Sequence, residues 1–398
     1  MRDAGDGPPG RMVSAVDIDY HEWSGEAAFR DGESSGIEVG TGLRIGSAAG
    51  VQDGGEYAWW TSPEHELPFA ADDVVVSWNA TAPPGTWLTV EAQARTESGR
   101  HTPWYSLGRW SFDETDVRRT SVAGQHDESA RVEVDRLVAA DGVRLRSHRV
   151  RVTLCRAAGT DATPTLTAVG AVASAVDDRT EVPTSPPGPG VGIELPVPRY
   201  AQYVHRGHFP EYGGGGDGWC SPASTEMVVE YWGAGPTEAE LAWIPRGHPD
   251  RSVVHAARHT FDHAYGGTGN WPFNVAYASQ YGLRGRVTRL ASLHDVEHHI
   301  AHGVPVIASV SFTAGELTGA DYTTEGHLLV VVGFTGTGDV IAHDPAAESA
   351  DAVRRVYPRG EFETVWQRSR RHNVDGDLVD TPAGVVYLIA PAGKVLPA

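Results

Sequence analysis

A proline- and glycine-rich stretch at residues 177–194, DDRTEVPTSPPGPGVGIE, divides the chain, and the hydrophobic pattern differs on its two sides. Its four prolines fix φ and favour extended backbone, so it reads as a semi-rigid linker. Before it lie DVVVSWNA (73–80), TWLTVEAQART (86–96), WYSLGRWSF (104–112), RVEVDRLVA (131–139), VRLRSHRVRVTLCRA (143–157) and TLTAVGAVASAV (165–176). These runs are short and rich in Val, Thr and Trp, and several alternate apolar with polar residues, the period of a half-buried strand. With no helical pattern among them, residues 17–176 are expected to form an all-β antiparallel sandwich, jelly-roll-like. After the linker, SPASTEMVVEYWG (221–233), FNVAYASQYG (273–282) and LHDVEHHIAHG (293–303) carry helical spacing and end on Gly. VPVIASVSF (304–312), HLLVVVGFTG (327–336), DVIAHDP (339–345) and GVVYLIAP (384–391) then read as strands. Helices followed by strands predict an α+β domain over residues 195–392.

The length of 398 residues allows each half its own core. Of 32 basic residues only Lys394 is a lysine, which argues against Schiff-base chemistry, a Ser–Lys dyad and a Gly-Lys phosphate loop. Two cysteines, Cys155 and Cys220, cannot build a disulfide framework or a multi-Cys zinc site, and their unlike surroundings argue against a bridge between them. The net charge of −20 argues against nucleic acid and anionic membranes as partners, and points to a neutral or cationic substrate. No apolar run reaches the roughly 18–20 residues of a membrane-spanning helix. The first twenty residues hold no apolar leader segment, so the chain as written is expected in the cytoplasm, or outside the cell if a leader preceded it.

Cys220 follows the loop GGGGDGW and precedes a predicted helix. The partial positive charge and unpaired N–H groups of a helix N-terminus favour a thiolate. An ordinary buried cysteine at a helix start fits the same residues. A nucleophile needs a base and a group that orients the base. His327 opens a strand and Asp344 ends the next, so a hairpin turning at TGTGD (335–339) would bring the two together. Gln202, in VPRYAQ, lies 18 residues before Cys220, and its amide could join the Cys220 N–H in an oxyanion hole.

VPRYAQ, WCSPAS, GHLLVVVGF and HDPA, in that order, resemble the freestanding C39-like cysteine peptidases of the papain-like superfamily, over about residues 196–391. The likeness extends to actinobacterial members with an N-terminal β region. It implies a papain-like fold with Cys220 as nucleophile, His327 as base, Asp344 as orienter and Gln202 as oxyanion donor. The implied reaction is peptide or amide hydrolysis through a thioester, with no metal or cofactor. An amine acceptor in place of water would make the same site a transpeptidase or amide-forming acyltransferase. The different-class alternative is a catalytically silent binding protein whose sandwich recognises glycan or cell wall. Two departures stand out: the insert YVHRGHFPEYGGGGDGW between Gln202 and Cys220 is long, and Ser221 and Pro222 follow the cysteine where the related peptidase domains of bacteriocin exporters usually have Gly.

Other residues have competing readings. Trp219, Asn270 and Trp271 are placed as walls of the substrate cleft. His294, Glu297 and His298 match a zinc-protease spacing, and His255, His259 and His263 recur at four-residue steps; chance matches among 18 histidines are the simpler account. Seven Trp before the linker are expected mainly in the sandwich core, as is Cys155. Oligomeric state is not legible.

Overall fold

Residues Thr86–Thr96 realise the two-residue period in full: Thr86 and every second residue after it are buried, while those between are half-exposed. The computed structural model describes residues 16–52 and 54–397; residues 1–15, part of the segment without an apolar leader, lie outside the described residues. The N-terminal half is a β-sandwich of two seven-stranded antiparallel sheets. One sheet runs Ala130–Glu133, Arg136–Ala139, Asp73–Thr81, Thr165–Val176, Leu43–Ile45 and Ile37–Val39, with Val16–Ser24 also paired to Thr165–Val176. The other runs Tyr105–Trp110, Thr86–Thr96, Leu145–Ala157, Gly55–Thr61 and Glu33–Ser35, with Gly50–Gln52 and His65–Ala71 as side partners. Strands ahead of residue 73 carry weak alternation and were not expected. The run 131–139, expected as one strand, is a hairpin that turns at Val134 and Asp135. Val134 sits at φ 55°, a left-handed conformation costly for a β-branched residue, so propensity gives no sign of this turn.

The C-terminal half is mixed. A six-stranded antiparallel sheet runs Leu283–Arg289, Val385–Pro391, Val306–Phe312, Thr324–Phe334, Val340–His343 and Arg354–Tyr357. Helices Cys220–Tyr231, Trp271–Gln280 and Leu293–Ala301 fall where the sequence indicated; Arg359–Gln367, with a charged opening turn, was not foreseen. The 177–194 segment is docked rather than suspended. Arg179 Nη2 donates to the Gln367 carbonyl at 2.8 Å, Ser185 N–H to Glu363 at 2.7 Å, and Gly192 N–H to the Phe334 carbonyl at 3.0 Å.

Strand Asp73–Thr81 breaks the alternation because both its faces are covered, one by the second sheet and one by the C-terminal half. Helix Trp271–Gln280 and strand Leu283–Arg289 pack on it. Leu283–Arg289 is an edge strand, and its open backbone groups are satisfied by side chains of the neighbouring domain. Asn79 Nδ2 donates to the Gly285 carbonyl at 2.9 Å and its Oδ1 accepts the Gly285 N–H at 2.7 Å. Ser77 Oγ accepts the Val287 N–H at 3.1 Å. Arg289 closes the seam, donating from Nη2 to Asp73 at 2.7 Å and from Nε to Ser174 at 2.9 Å, with all three residues buried. Phe273 wedges against Trp78 and Trp110 of the two sheets.

Removing one member of a buried pair leaves the other charged and underpaired. Arg289→Met is therefore expected to cost about 3–5 kcal/mol in urea unfolding. A loss below about 1 kcal/mol would show that the seam does not depend on this pair.

Candidate active site

Cys220 is the first residue of the buried helix Cys220–Tyr231 and is itself half-buried. Ser224 Oγ, one turn on, donates to the Leu328 carbonyl at 3.0 Å and ties this helix to the strand carrying His327. His327 Nε2 meets Asp344 Oδ1 at 2.8 Å, which leaves Nδ1 for its hydrogen bond to Cys220. The hairpin is the one anticipated: Thr324–Phe334 and Val340–His343 pair antiparallel, with Asp344 directly after the second strand.

The electrostatics follow from burial and charge. Burial pushes the Cys220 thiol up, but the charge and hydrogen bond of His327, with the N–H groups of Leu328 and Ser221, hold it below its ordinary value. Burial pushes the His327 imidazole down, yet the charges of Asp344 and Cys220 and their hydrogen bonds raise it to about 10. Asp344 is fully buried and is ringed by donors. Tyr322 donates to Oδ2 at 2.8 Å, Tyr357 to the same oxygen at 2.5 Å, and the Ala346 N–H to Oδ1 at 2.9 Å. Burial opposes its charge, but His327, Tyr357 and Arg355 keep the carboxyl well below the usual carboxylate range. Each shift favours the charged form of its group, thiolate for Cys220 and imidazolium for His327.

Gln202 lies buried at the same cleft, on the short turn Gln202–His205. Its backbone N–H donates to the Pro345 carbonyl at 2.8 Å, next to Asp344. Its Nε2 donates to the Asp217 carbonyl at 3.0 Å, which uses one of two amide hydrogens. The long insert between Gln202 and Cys220 folds back on this turn. Gly216 makes that possible: a Cβ there would stand 2.2 Å from the Gln202 carbonyl oxygen.

The cleft has a volume of about 720 Å³, and Cys220, His327, Gln202, Tyr203, Tyr265 and Trp271 are among its lining residues. The hairpin turn of the N-terminal sandwich also reaches it, through Glu133, Val134, Asp135 and Arg136. Asp135 accepts the Trp271 N–H at 2.7 Å, and burial raises its carboxyl to about 7. Tyr322 and Tyr357 carried no sequence signal because no local motif marks a tyrosine 22 or 13 positions from the carboxylate it serves, and the hairpin because it lies 136 positions from the helix it anchors. The carboxylates at the rim are ion-paired, Asp217 with Arg206, Glu133 with Arg136 and Glu325 with Arg371, so net acidity does not translate into a bare acidic wall.

Several expected positions are corrected. Trp219 is fully buried in a small core with Ala223, Ile244, Val253 and Val254, and its Nε1 donates to the Tyr212 carbonyl at 2.6 Å. It therefore does not wall the cleft. Asn270 is buried too and caps helix Trp271–Gln280, accepting the Phe273 N–H at 3.2 Å and donating to Asp262 at 2.9 Å. Cys155 is half-buried on the outer face of its sheet rather than in the core, and it lines a groove of about 1100 Å³. Trp23, Trp60, Trp78 and Trp110 are core, while Trp59, Trp87 and Trp104 line that groove. Glu297 of the zinc-protease spacing is buried and ion-paired to Arg359 at 2.5 Å.

Residues 19–174 match the model described as the Peptidase C39 N-terminal domain, and residues 194–374 that of the Peptidase C39 like family. No curated protein matches the chain. Among solved structures, an infectious bursal disease virus Gx strain structure shares 11% identity and a TM-score of 0.22, covering 44% of this chain and 36% of that one. The chain thus spans about a third of that structure's length. A serine protease of Aeromonas sobria shares 9% identity at TM-score 0.20, covering 42% of this chain and 28% of its own. Carbohydrate-binding modules of the β-sandwich superfamily share 8% identity at TM-score 0.18, covering 40% and 57%.

Iodoacetamide should alkylate Cys220 well below pH 8 and faster than Cys155, as resolved by peptide mass analysis. Asp344→Asn removes the charge that raises His327, so the alkylation rate of Cys220 at pH 7 should fall about ten-fold or more. An unchanged rate would show that Asp344 does not govern the pair.

Proposed function

We propose that this chain, a C39-like family protein with a cysteine peptidase-type function, cleaves amide bonds through a Cys220–His327–Asp344 triad and a thioester intermediate. The observation that carries the reading is the thiol of Cys220 hydrogen-bonded to an imidazole whose other nitrogen lies 2.8 Å from a fully buried carboxylate. The fold we propose for the C-terminal half is papain-like, with the nucleophile on a helix packed against the sheet that bears the base.

In the first step the Cys220 thiolate attacks the carbonyl carbon of the peptide. The oxyanion is held by the Cys220 N–H, one of the first-turn donors with no intrahelical acceptor, and by the second hydrogen of Gln202 Nε2. His327 gives its Nδ1 proton to the departing amine as the C–N bond breaks. The acyl group remains on sulfur as a thioester. His327, now neutral, takes a proton from water, and the hydroxide attacks the thioester through a second oxyanion in the same hole. Thiolate leaves as the carboxylic acid forms, and with the proton His327 took from water the thiolate–imidazolium pair is restored. Asp344 keeps the ring oriented and stabilises the imidazolium throughout. No metal or cofactor takes part in these steps. The substrate is a peptide or amide; an amine entering in place of water would give transpeptidation from the same thioester.

Cys220→Ala should abolish turnover of a peptide library, and Gln202→Ala should lower kcat by about 10²–10³-fold with a smaller change in KM. Wild-type protein incubated with the library should carry an acyl mass on Cys220. Added amine appearing in the product would assign acyl transfer over hydrolysis. Full turnover by Cys220→Ala would falsify the proposal.

A further inference from the structure

Three polar side chains from three strands meet where the two sheets of the sandwich come together. Asp19 lies on Val16–Ser24, His65 opens His65–Ala71, and His148 lies on Leu145–Ala157 directly opposite His65 in the strand register. Among the described residues, Asp19, His65 and His148 form a group whose potential ligand atoms all fall within 4.8 Å of one another. His65 Nε2 is 2.6 Å from Asp19 Oδ2. His148 is 1% exposed, yet neither of its ring nitrogens has a hydrogen-bond partner. Leaving a buried polar group unpaired costs about 1–3 kcal/mol, and native folds retain few such groups without a reason.

The rings around the group hold it in place. His21 stacks on His65 with centroids 4.0 Å apart, and Trp23 stands edge-on to His148 at 5.9 Å. These contacts restrict how far the imidazoles can turn.

We propose that Asp19, His65 and His148 bind a divalent transition metal of the zinc class, which ties the edge strand Val16–Ser24 of one sheet to strands His65–Ala71 and Leu145–Ala157 of the other. Two imidazoles and one carboxylate form a set that zinc accepts with water in the fourth position. Bonds of about 2.0–2.2 Å place tetrahedral ligand atoms roughly 3.3 Å apart. The His65–Asp19 contact is shorter than this because a proton now bridges it. On binding, that proton moves to Nδ1 of His65 or to solvent, and the metal takes its place. His148 closes on the metal and one of its orphaned nitrogens gains a partner. The site is remote in sequence from both histidine spacings that resemble zinc motifs, and it exists only because three strands converge.

The test uses the full chain carrying Cys220→Ser, so that the thiolate cannot hold the metal. The protein is stripped with EDTA, dialysed and titrated with zinc chloride. One zinc per chain is expected by elemental analysis, with the unfolding temperature rising by roughly 5–10 °C at zinc about 100-fold above its Kd. Asp19→Asn and His65→Asn, at half-buried positions, should each lose the bound zinc and the thermal shift. His148→Phe should lose both as well, while removing the orphaned nitrogens. The proposal is overturned if the Cys220→Ser protein takes up no stoichiometric zinc. It is equally overturned if Asp19→Asn and His65→Asn keep one zinc per chain, since the metal would then sit elsewhere.

Discussion

The double burial of strand Asp73–Thr81 is the constraint on which the rest of the molecule depends. A strand covered on both faces needs partners for its polar side chains, and Asp73, Ser77 and Asn79 find them in the edge strand Leu283–Arg289. The edge strand gains in turn, because its open backbone groups would otherwise face water or another chain. Each domain thus completes the other's hydrogen bonding. The seam also sets a position. Strand Arg136–Ala139 pairs with Asp73–Thr81, so the hairpin turn at Val134 and Asp135 is carried to the cleft of the neighbouring domain. The sandwich is therefore part of the cleft wall, and Asp135 anchors the first turn of helix Trp271–Gln280.

At the cleft, one buried charge organises the others. Asp344 has no solvent to stabilise it, so its ionised form depends on Tyr322, Tyr357, the Ala346 N–H and the His327 ring. That network over-determines the position of the carboxylate, and through it the plane of the imidazole. The raised His327 and the lowered Cys220 are two sides of the same coupling: each charge stabilises the other against the cost of burial. The glycine loop also shapes the site. Gly213 and Gly218 line the cleft, and Gly216 lets the loop press against the turn that holds Gln202.

Much of this was legible in the residues. The strand and helix runs on either side of the linker were readable because hydrophobic period is a local property, and Thr86–Thr96 is a clear case. Cys220 and Asp344 were readable because each sits at an element boundary, and His327 because it precedes the apolar run of its strand, although the strand itself begins earlier, at Thr324. Trp219 and Asn270 misled for the same reason. Both sit in loops beside the nucleophile, where aromatic and amide groups often meet substrate, but Trp219 turns inward to a separate core and Asn270 caps a helix. Exposure depends on what packs over a loop, and no local pattern carries that. Cys155 shows the converse: alternation along its strand was visible, but which face met the second sheet was not.

The sequence by itself determined the division into a β-rich half and a mixed half, the order of the chemistry-bearing residues, and the scarcity of lysine and cysteine, since composition and periodicity are properties of the chain read residue by residue. Only the tertiary structure decided the seam at Asp73 and Arg289, the tyrosines on Asp344, the hairpin in the cleft, and the meeting of Asp19, His65 and His148. These contacts join residues between 13 and 216 positions apart. Their energies come from burial and pairing in three dimensions, which a one-dimensional pattern does not encode.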